Sequence, residues 1–116
     1  SLTHSGPDVA LPPRAALSLS MAFHELGTNA AKYGALAAPD GRIDVSWTVD
    51  RNRHSQPTQV HLRWTESGGP PVAVPRRRGF GSRLLQAMAV EVAGKAEVEF
   101  APGGLKWTIS FPVRQA

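Results

Sequence analysis

A chain of 116 residues, 41% hydrophobic and 19% charged, fits one domain around one core. It has no apolar run near the ~20 residues of a membrane span, and no charged start followed by an apolar block of the signal-peptide kind. The lack of cysteine excludes disulfides and thiolate metal sites. The net charge of +4, with a pI of about 10.4, is compatible with nucleic acid, anionic lipid or a phosphorylated ligand, but much of the excess sits at Arg76, Arg77 and Arg78, which reads as a local patch rather than a basic surface.

Leu2 to Leu11 carries a turn signal, "SGPD", between two short apolar-flanked pieces, and a small β-hairpin is expected there. Pro12 and Pro13 then suit the first turn of a helix, where a missing N–H costs nothing. The helix is predicted from about Pro13 to Tyr33, with Leu19, Phe23, Leu26 and Ala30 as its buried stripe and Gly34 as its stop. Glu25, Asn29 and Lys32 fall at i, i+4 and i+7 on a neighbouring face, with Tyr33 beside them. Gly27 inside this helix is unfavourable by about 1 kcal/mol against alanine; close packing would be one reason for it.

Ile43, Val45, Trp47 and Val49 alternate with polar residues, which predicts a strand with one apolar face. "DRNRHSQPTQ" reads as a polar loop. A second strand, antiparallel to the first, places Val60, Leu62 and Trp64 on its inner face. One more step of that alternation reaches Glu66, so this carboxyl group is aimed at the core, where it needs a partner or a pocket. "SGGPPV" breaks the strand.

A basic loop with Arg76, Arg77 and Arg78 leads into a second helix whose buried stripe is Leu84, Leu85, Met88, Ala89 and Val92, ended by Gly94. Two last strands follow, carrying Val98 and Phe100, then Leu105, Trp107, Ile109 and Phe111, with "PGG" as the turn. The fold class expected is α+β, a two-layer sandwich of one mixed sheet with helices on one face.

The polar set on the first helix has a chemical reading. A carboxylate and an amide four residues apart offer the hard oxygens that suit Mg²⁺, a lysine can neutralise phosphate and a tyrosine can pack against a flat base. A solvated polar face uses the same residue types, and spacing alone does not separate the two. "GFGS", Gly79 to Ser82, opens a helix, whose N–H groups bind anions. A tight loop-to-helix turn has the same look, as a solvated loop does for the arginines and a plain turn for "ESGGPP".

Taken together and in order, "HELGTNAAKYGAL", "WTESGGPPV" and "RRRGFGSRLL" resemble the catalytic ATP-binding domain of HWE-type sensor histidine kinases, within the Bergerat-fold ATPases. The resemblance covers nearly the whole chain, and its family markers are His24, Trp64 and Glu66. It implies that Asn29 coordinates Mg²⁺, that Glu25 orients or polarises the attacking group and could reach the metal through water, and that Lys32 contacts phosphate. Tyr33 would line the adenine or ribose side, and Glu66 would stand where the wider group has an aspartate that accepts the adenine amino proton. Gly68 and Gly69 would let the nucleotide approach. Gly79 and Gly81, with Arg78, Phe80 and Ser82 around them, would meet the triphosphate. The usual D-x-G-x-G is replaced by Glu66-Ser-Gly68-Gly69-Pro70, and a short segment between the glycine boxes implies a reduced ATP lid.

The cofactors implied are ATP and Mg²⁺. The partners implied are a helical dimerisation and phosphoacceptor domain of the same kinase and a response regulator. No segment here resembles the dimerisation helices, so the chain is expected to be a cytoplasmic piece of a longer kinase, one that could itself be membrane-attached. It should bind nucleotide without phosphorylating itself. His24 lies on the helix beside the site rather than on a dimerisation helix, and a hydrogen-bonding structural role is expected of it. The rival readings are an anti-sigma-factor type of serine kinase, a nucleotide-binding scaffold without turnover, and a basic nucleic-acid module. The last lacks aromatic residues interleaved with the basic ones.

Overall fold

The computed structural model describes residues 1–70, 82–101 and 103–113, with the side chain of Ser82 outside that description. Strand β1 is Leu2–Ser5, helix α1 is Pro13–Tyr33, β2 is Arg42–Arg51 and β3 is Pro57–Ser67. Helix α2 is Ser82–Glu91, β4 is Lys95–Ala101 and β5 is Gly104–Pro112. The five strands form one mixed sheet in the order β1-β2-β3-β5-β4, with β1 parallel to β2 and every other pair antiparallel.

The expected hairpin at the N-terminus is not formed. Leu2 pairs with Ile43 and Ser5 with Ser46 in a parallel ladder, and parallel neighbours need a crossover, which α1 provides. "SGPD" is the exit from the strand instead of a turn. Gly6 lies so close to Trp47 that a Cβ there would meet the indole at 2.3 Å, and the Pro7 carbonyl accepts the Trp47 Nε1–H at 2.7 Å. The segment then crosses the sheet, packing Val9 and Leu11 against the core on its way to α1.

Helix α1 begins and ends where the sequence places it. The buried stripe is Ala15, Leu19, Ala22, Leu26 and Ala30, while Phe23 is only half-buried, stacked on Trp64 and set edge-on to Trp107. The apolar faces of the strands meet this stripe, with Ile43, Leu105, Trp107, Ile109 and Phe111 nearly or fully inaccessible. The ladder between β2 and β3 outruns the core, so the loop expected over "DRNRHSQPTQ" shrinks to Asn52–Gln56. Asn52 closes it, its Oδ1 accepting the backbone N–H of His54 at 2.8 Å and of Gln56 at 3.1 Å. On the outer face of the sheet the His61 ring bridges Ser110 Oγ at 2.8 Å and Asp50 Oδ2 at 2.9 Å, tying β2, β3 and β5 together.

Helix α2 buries Leu85 and Ala89, with Val92 just beyond its end. Its stop is not Gly94 alone. Ala93 takes the left-handed conformation at φ 58°, its N–H reaching Val90 O at 3.0 Å, and the Gly94 N–H closes on Ala89 O at 2.8 Å. This is the paired bonding of a Schellman ending, with alanine at the position that favours glycine.

Close packing does not explain Gly27. A Cβ at Gly27 would meet nothing within 4 Å, and the residue faces a cavity of 720 Å³ whose walls include Phe23, Val45, Trp47 and Leu62. The helix therefore holds glycine where alanine fits, and the turn after α2 holds alanine where glycine fits. Each of Gly27→Ala and Ala93→Gly should raise stability by about 1 kcal/mol, read as a higher urea midpoint at unchanged slope. A lower midpoint for Gly27→Ala would mean that the helix is strained at that residue.

Candidate functional site

At ~100° per residue, Glu25, Asn29 and Lys32 share about 60° of the α1 circumference. The same flank, one to three turns earlier, packs on α2. Pro13, Leu17 and Met21 face Ala87 and Met88 across a cleft, and Arg14 Nε lies 3.6 Å from Glu91 Oε1. The start of α1 thus meets the end of α2. With a rise of ~1.5 Å per residue, the antiparallel sense carries the first turn of α2 back to about the level of Glu25. The N-terminal end of α2, where a helix leaves N–H groups without partners inside the helix itself, thus lies toward the part of α1 that carries the polar set.

Within that set, Glu25 and Asn29 form one unit. Asn29 is 6% exposed, and its Nδ2 donates both to the Glu25 carbonyl at 2.8 Å and to Glu25 Oε2 at 2.5 Å. Both of these bonds tie the Asn29 amide to Glu25. Lys32 and Tyr33 are exposed at the end of the helix. His24 points away from the core, exposed and without a hydrogen-bond partner among the described residues, so the structural hydrogen bond expected of it is not made.

Glu66 is where the period-2 rule aims it, 5% exposed at the inner end of β3. Its carboxyl group is paired on both oxygens. Oε1 accepts the backbone N–H of Ala35 at 3.0 Å, and Oε2 accepts the Trp64 indole N–H at 3.0 Å. Ala35 follows α1 by one residue beyond Gly34, so this bond fixes the base of Glu66 to the end of the helix that carries Asn29 and Lys32. The cavity beside Gly27 opens on the opposite flank of α1, with Trp64, Ile43 and Leu36 among its walls.

The glycines after Glu66 have a structural reason in addition to any ligand. Gly68 has φ +72° beside the Asp40 carbonyl, and Gly69 lies where a Cβ would meet Ala35 Cα at 2.8 Å. Gly104 was read only as part of a turn. It has φ +147°, and a Cβ there would meet the Glu66 carbonyl oxygen at 2.2 Å. Sequence reasoning missed Gly104 and the Ala35 N–H. It singled out Trp64 without a role, although the i, i+2 spacing with Glu66 puts both side chains on one face of a strand. Arg76, Arg77, Arg78, Gly79, Phe80 and Gly81, together with the reduced lid, lie outside the described residues. Ser82 begins α2.

No family model matches the chain. The blue-light-activated histidine kinase of Brucella ovis is 44% identical over 110 residues, 94% of this chain, and that of Brucella anthropi is 42% identical over the same share. The chain spans 22% of the length of these relatives. Among solved structures, the Erythrobacter litoralis blue-light activated histidine kinase superposes over 97% of this chain and 35% of its own with a TM-score of 0.74 at 16% identity. The histidine kinase domain of the E. coli osmosensor EnvZ superposes over 99% of this chain and 76% of its own with a TM-score of 0.64 at 22% identity. The α+β sandwich is thus the fold of histidine kinase catalytic domains, and the likeness to the Brucella kinases makes the chain a relative of the histidine kinases, in keeping with the resemblance to HWE-type catalytic domains that its motifs carry.

Proposed function

We propose that this domain binds Mg–ATP and presents the γ-phosphoryl group to a histidine on a separate helical domain of a longer kinase, for relay to a response-regulator aspartate. The observation that carries the reading is the Glu25–Asn29 unit, a nearly buried amide held to a carboxylate by two hydrogen bonds on the helix that also carries Lys32. Phosphoryl transfer asks a protein for positioning and charge neutralisation more than for covalent chemistry.

The donor set suits Mg²⁺. Among the described residues no group of three or more His, Asp or Glu side chains could hold a metal, and Mg²⁺ accepts one or two protein oxygens completed by phosphate and water. Asn29 would be the direct ligand, with Glu25 acting through water. When bound, the ion would offset the charge of the phosphate oxygens. Lys32, exposed one turn beyond Asn29, adds a mobile positive charge at the same end. Glu25 can hold the proton of an attacking imidazole, since its carboxyl group sits on the same flank. Glu66 supplies an acceptor for the adenine amino group, and Tyr33 a flat surface for the base or ribose. Gly68 and Gly69 would bring main chain to the nucleotide, and Arg78, Gly79, Phe80, Gly81 and Ser82 would complete the triphosphate end.

The phosphoacceptor domain and a response regulator are the expected partners. A structural neighbour, the histidine kinase ThkA in complex with the response regulator TrrA, supports that pairing, with a TM-score of 0.63. Among the described residues no helix is long and apolar enough to cross a membrane, which fits a domain working in the cytoplasm.

Calorimetric titration with a non-hydrolysable ATP analogue should show binding that EDTA weakens and that is tighter than for the GTP analogue. Asn29→Ala should lose the magnesium dependence with the fold intact by circular dichroism, and an unchanged response to EDTA would remove the metal role from Asn29. Glu66→Ala should weaken ATP-analogue binding by about tenfold or more, on the order of one buried hydrogen bond, while binding of inorganic triphosphate stays near its original value. Equal losses for both ligands would make Glu66 purely structural.

A further inference from the structure

We infer that Trp64 is a positioning residue for nucleotide selection: its indole N–H, together with the Ala35 N–H, holds the Glu66 carboxyl group in the one orientation that meets a purine amino group. The inference rests on the nucleotide-binding reading and adds to it a residue that touches no ligand.

The geometry is specific. Two donors engage the two oxygens from different elements, Ala35 after α1 and Trp64 on β3, each at 3.0 Å. The carboxyl plane cannot rotate without breaking both bonds. Each carboxylate oxygen has two acceptor directions, so one direction on each oxygen is left for a ligand donor. An exocyclic amino group supplies such a donor. A purine with a carbonyl at that position places oxygen against oxygen, and a fixed carboxyl group cannot turn away to relieve the contact. A site made to hydrogen-bond one group rejects an analogue that cannot reciprocate.

The indole is itself immobilised. Trp64 is 5% exposed, stacked on Phe23 of α1 with centroids 6.0 Å apart and opposite Trp107 in the β3–β5 register. Phe23 lies two residues before Glu25, so one helix orients the metal-side pair directly and the base-side carboxyl group through two stacked rings. Main chain closes the other side, with Gly69 against Ala35 and Gly104 against the Glu66 carbonyl. A glutamate without the indole would hold one fixed oxygen and be free to pivot about it.

Trp64→Phe keeps a ring for Phe23 to stack on and removes only the N–H. Titrated with ATP and GTP analogues and with inorganic triphosphate, this variant should lose about tenfold in the adenine-to-guanine affinity ratio, the weight of one hydrogen bond, with triphosphate binding unchanged. An unchanged ratio in a folded variant that binds nucleotide overturns the inference and leaves the function intact. A parent chain that binds no nucleotide overturns both. A second measurement needs no substitution. In the parent chain the Trp64 indole N–H resonance should move on adding the ATP analogue and stay in place on adding triphosphate. A resonance that responds to neither ligand, while calorimetry shows nucleotide binding, overturns the inference even if Trp64→Phe fails to fold.

Discussion

A carboxyl group at the inner end of a central strand has to be met by donors, because burial strips it of water and nothing apolar can replace that water. Much of the site end of this domain follows from meeting that demand at Glu66. The Ala35 N–H reaches it only if α1 stops at Gly34 and the chain folds at once into the short 3₁₀ turn Ala35–Ala37. That turn can sit against the strand end only if the neighbouring main chain carries no Cβ in its way, which is the condition met at Gly69. Across the strand, Gly104 closes on the Glu66 carbonyl in a backbone conformation that side chains rarely adopt.

Helix α1 connects the rest. It is the crossover that lets β1 and β2 run parallel, the lid of the apolar core, the partner of α2 and the carrier of Glu25 and Asn29. These tasks use different arcs of one cylinder. Ala22, Leu26 and Ala30 face the sheet, Leu17 and Met21 face α2, and His24 faces solvent. The small alanines on the buried arc let the helix lie close to the sheet. That closeness brings its C-terminal residues within hydrogen-bond reach of the end of β3.

The elements whose periodicity is set by one apolar face were legible from the sequence. These were the extent of α1, the pairing of β2 with β3, the alternation in β4 and β5, and the inward aim of Glu66. The failures share a cause. Leu2–Ser5 is exposed throughout and carries no apolar alternation, so its parallel partner, far away in sequence, left no local trace. "SGPD" has turn composition, yet Gly6 and Pro7 are there to pass over Trp47, a contact that no short-range pattern encodes. The end of α2 misled for a related reason. Gly94 looked like the stop because glycine usually takes the left-handed position, whereas Ala93 occupies it. In the candidate site the polar set on α1 could be found because its spacing is helical. The donors to Glu66 could not be ranked, since one is a backbone N–H and backbone groups look alike in every sequence.

The spacing of Trp64 and Glu66 on one strand has a further consequence for how base and phosphate are held together. The Glu25–Asn29 pair proposed for the metal and the Glu66 acceptor proposed for the base lie on different elements, and a nucleotide spanning them would register any slip of helix against sheet. Two links resist that slip. Ala35 ties the end of α1 to Glu66 by a hydrogen bond, and Phe23 ties its middle to Trp64 by a stacked ring. A single link would permit pivoting, as one hydrogen bond permits a carboxyl group to turn. Two links separated by three turns of helix define an axis. The distance from Asn29 to Glu66 is then set by packed and hydrogen-bonded contacts rather than by the loops between them, which is the preorganisation that the proposed phosphoryl transfer would require.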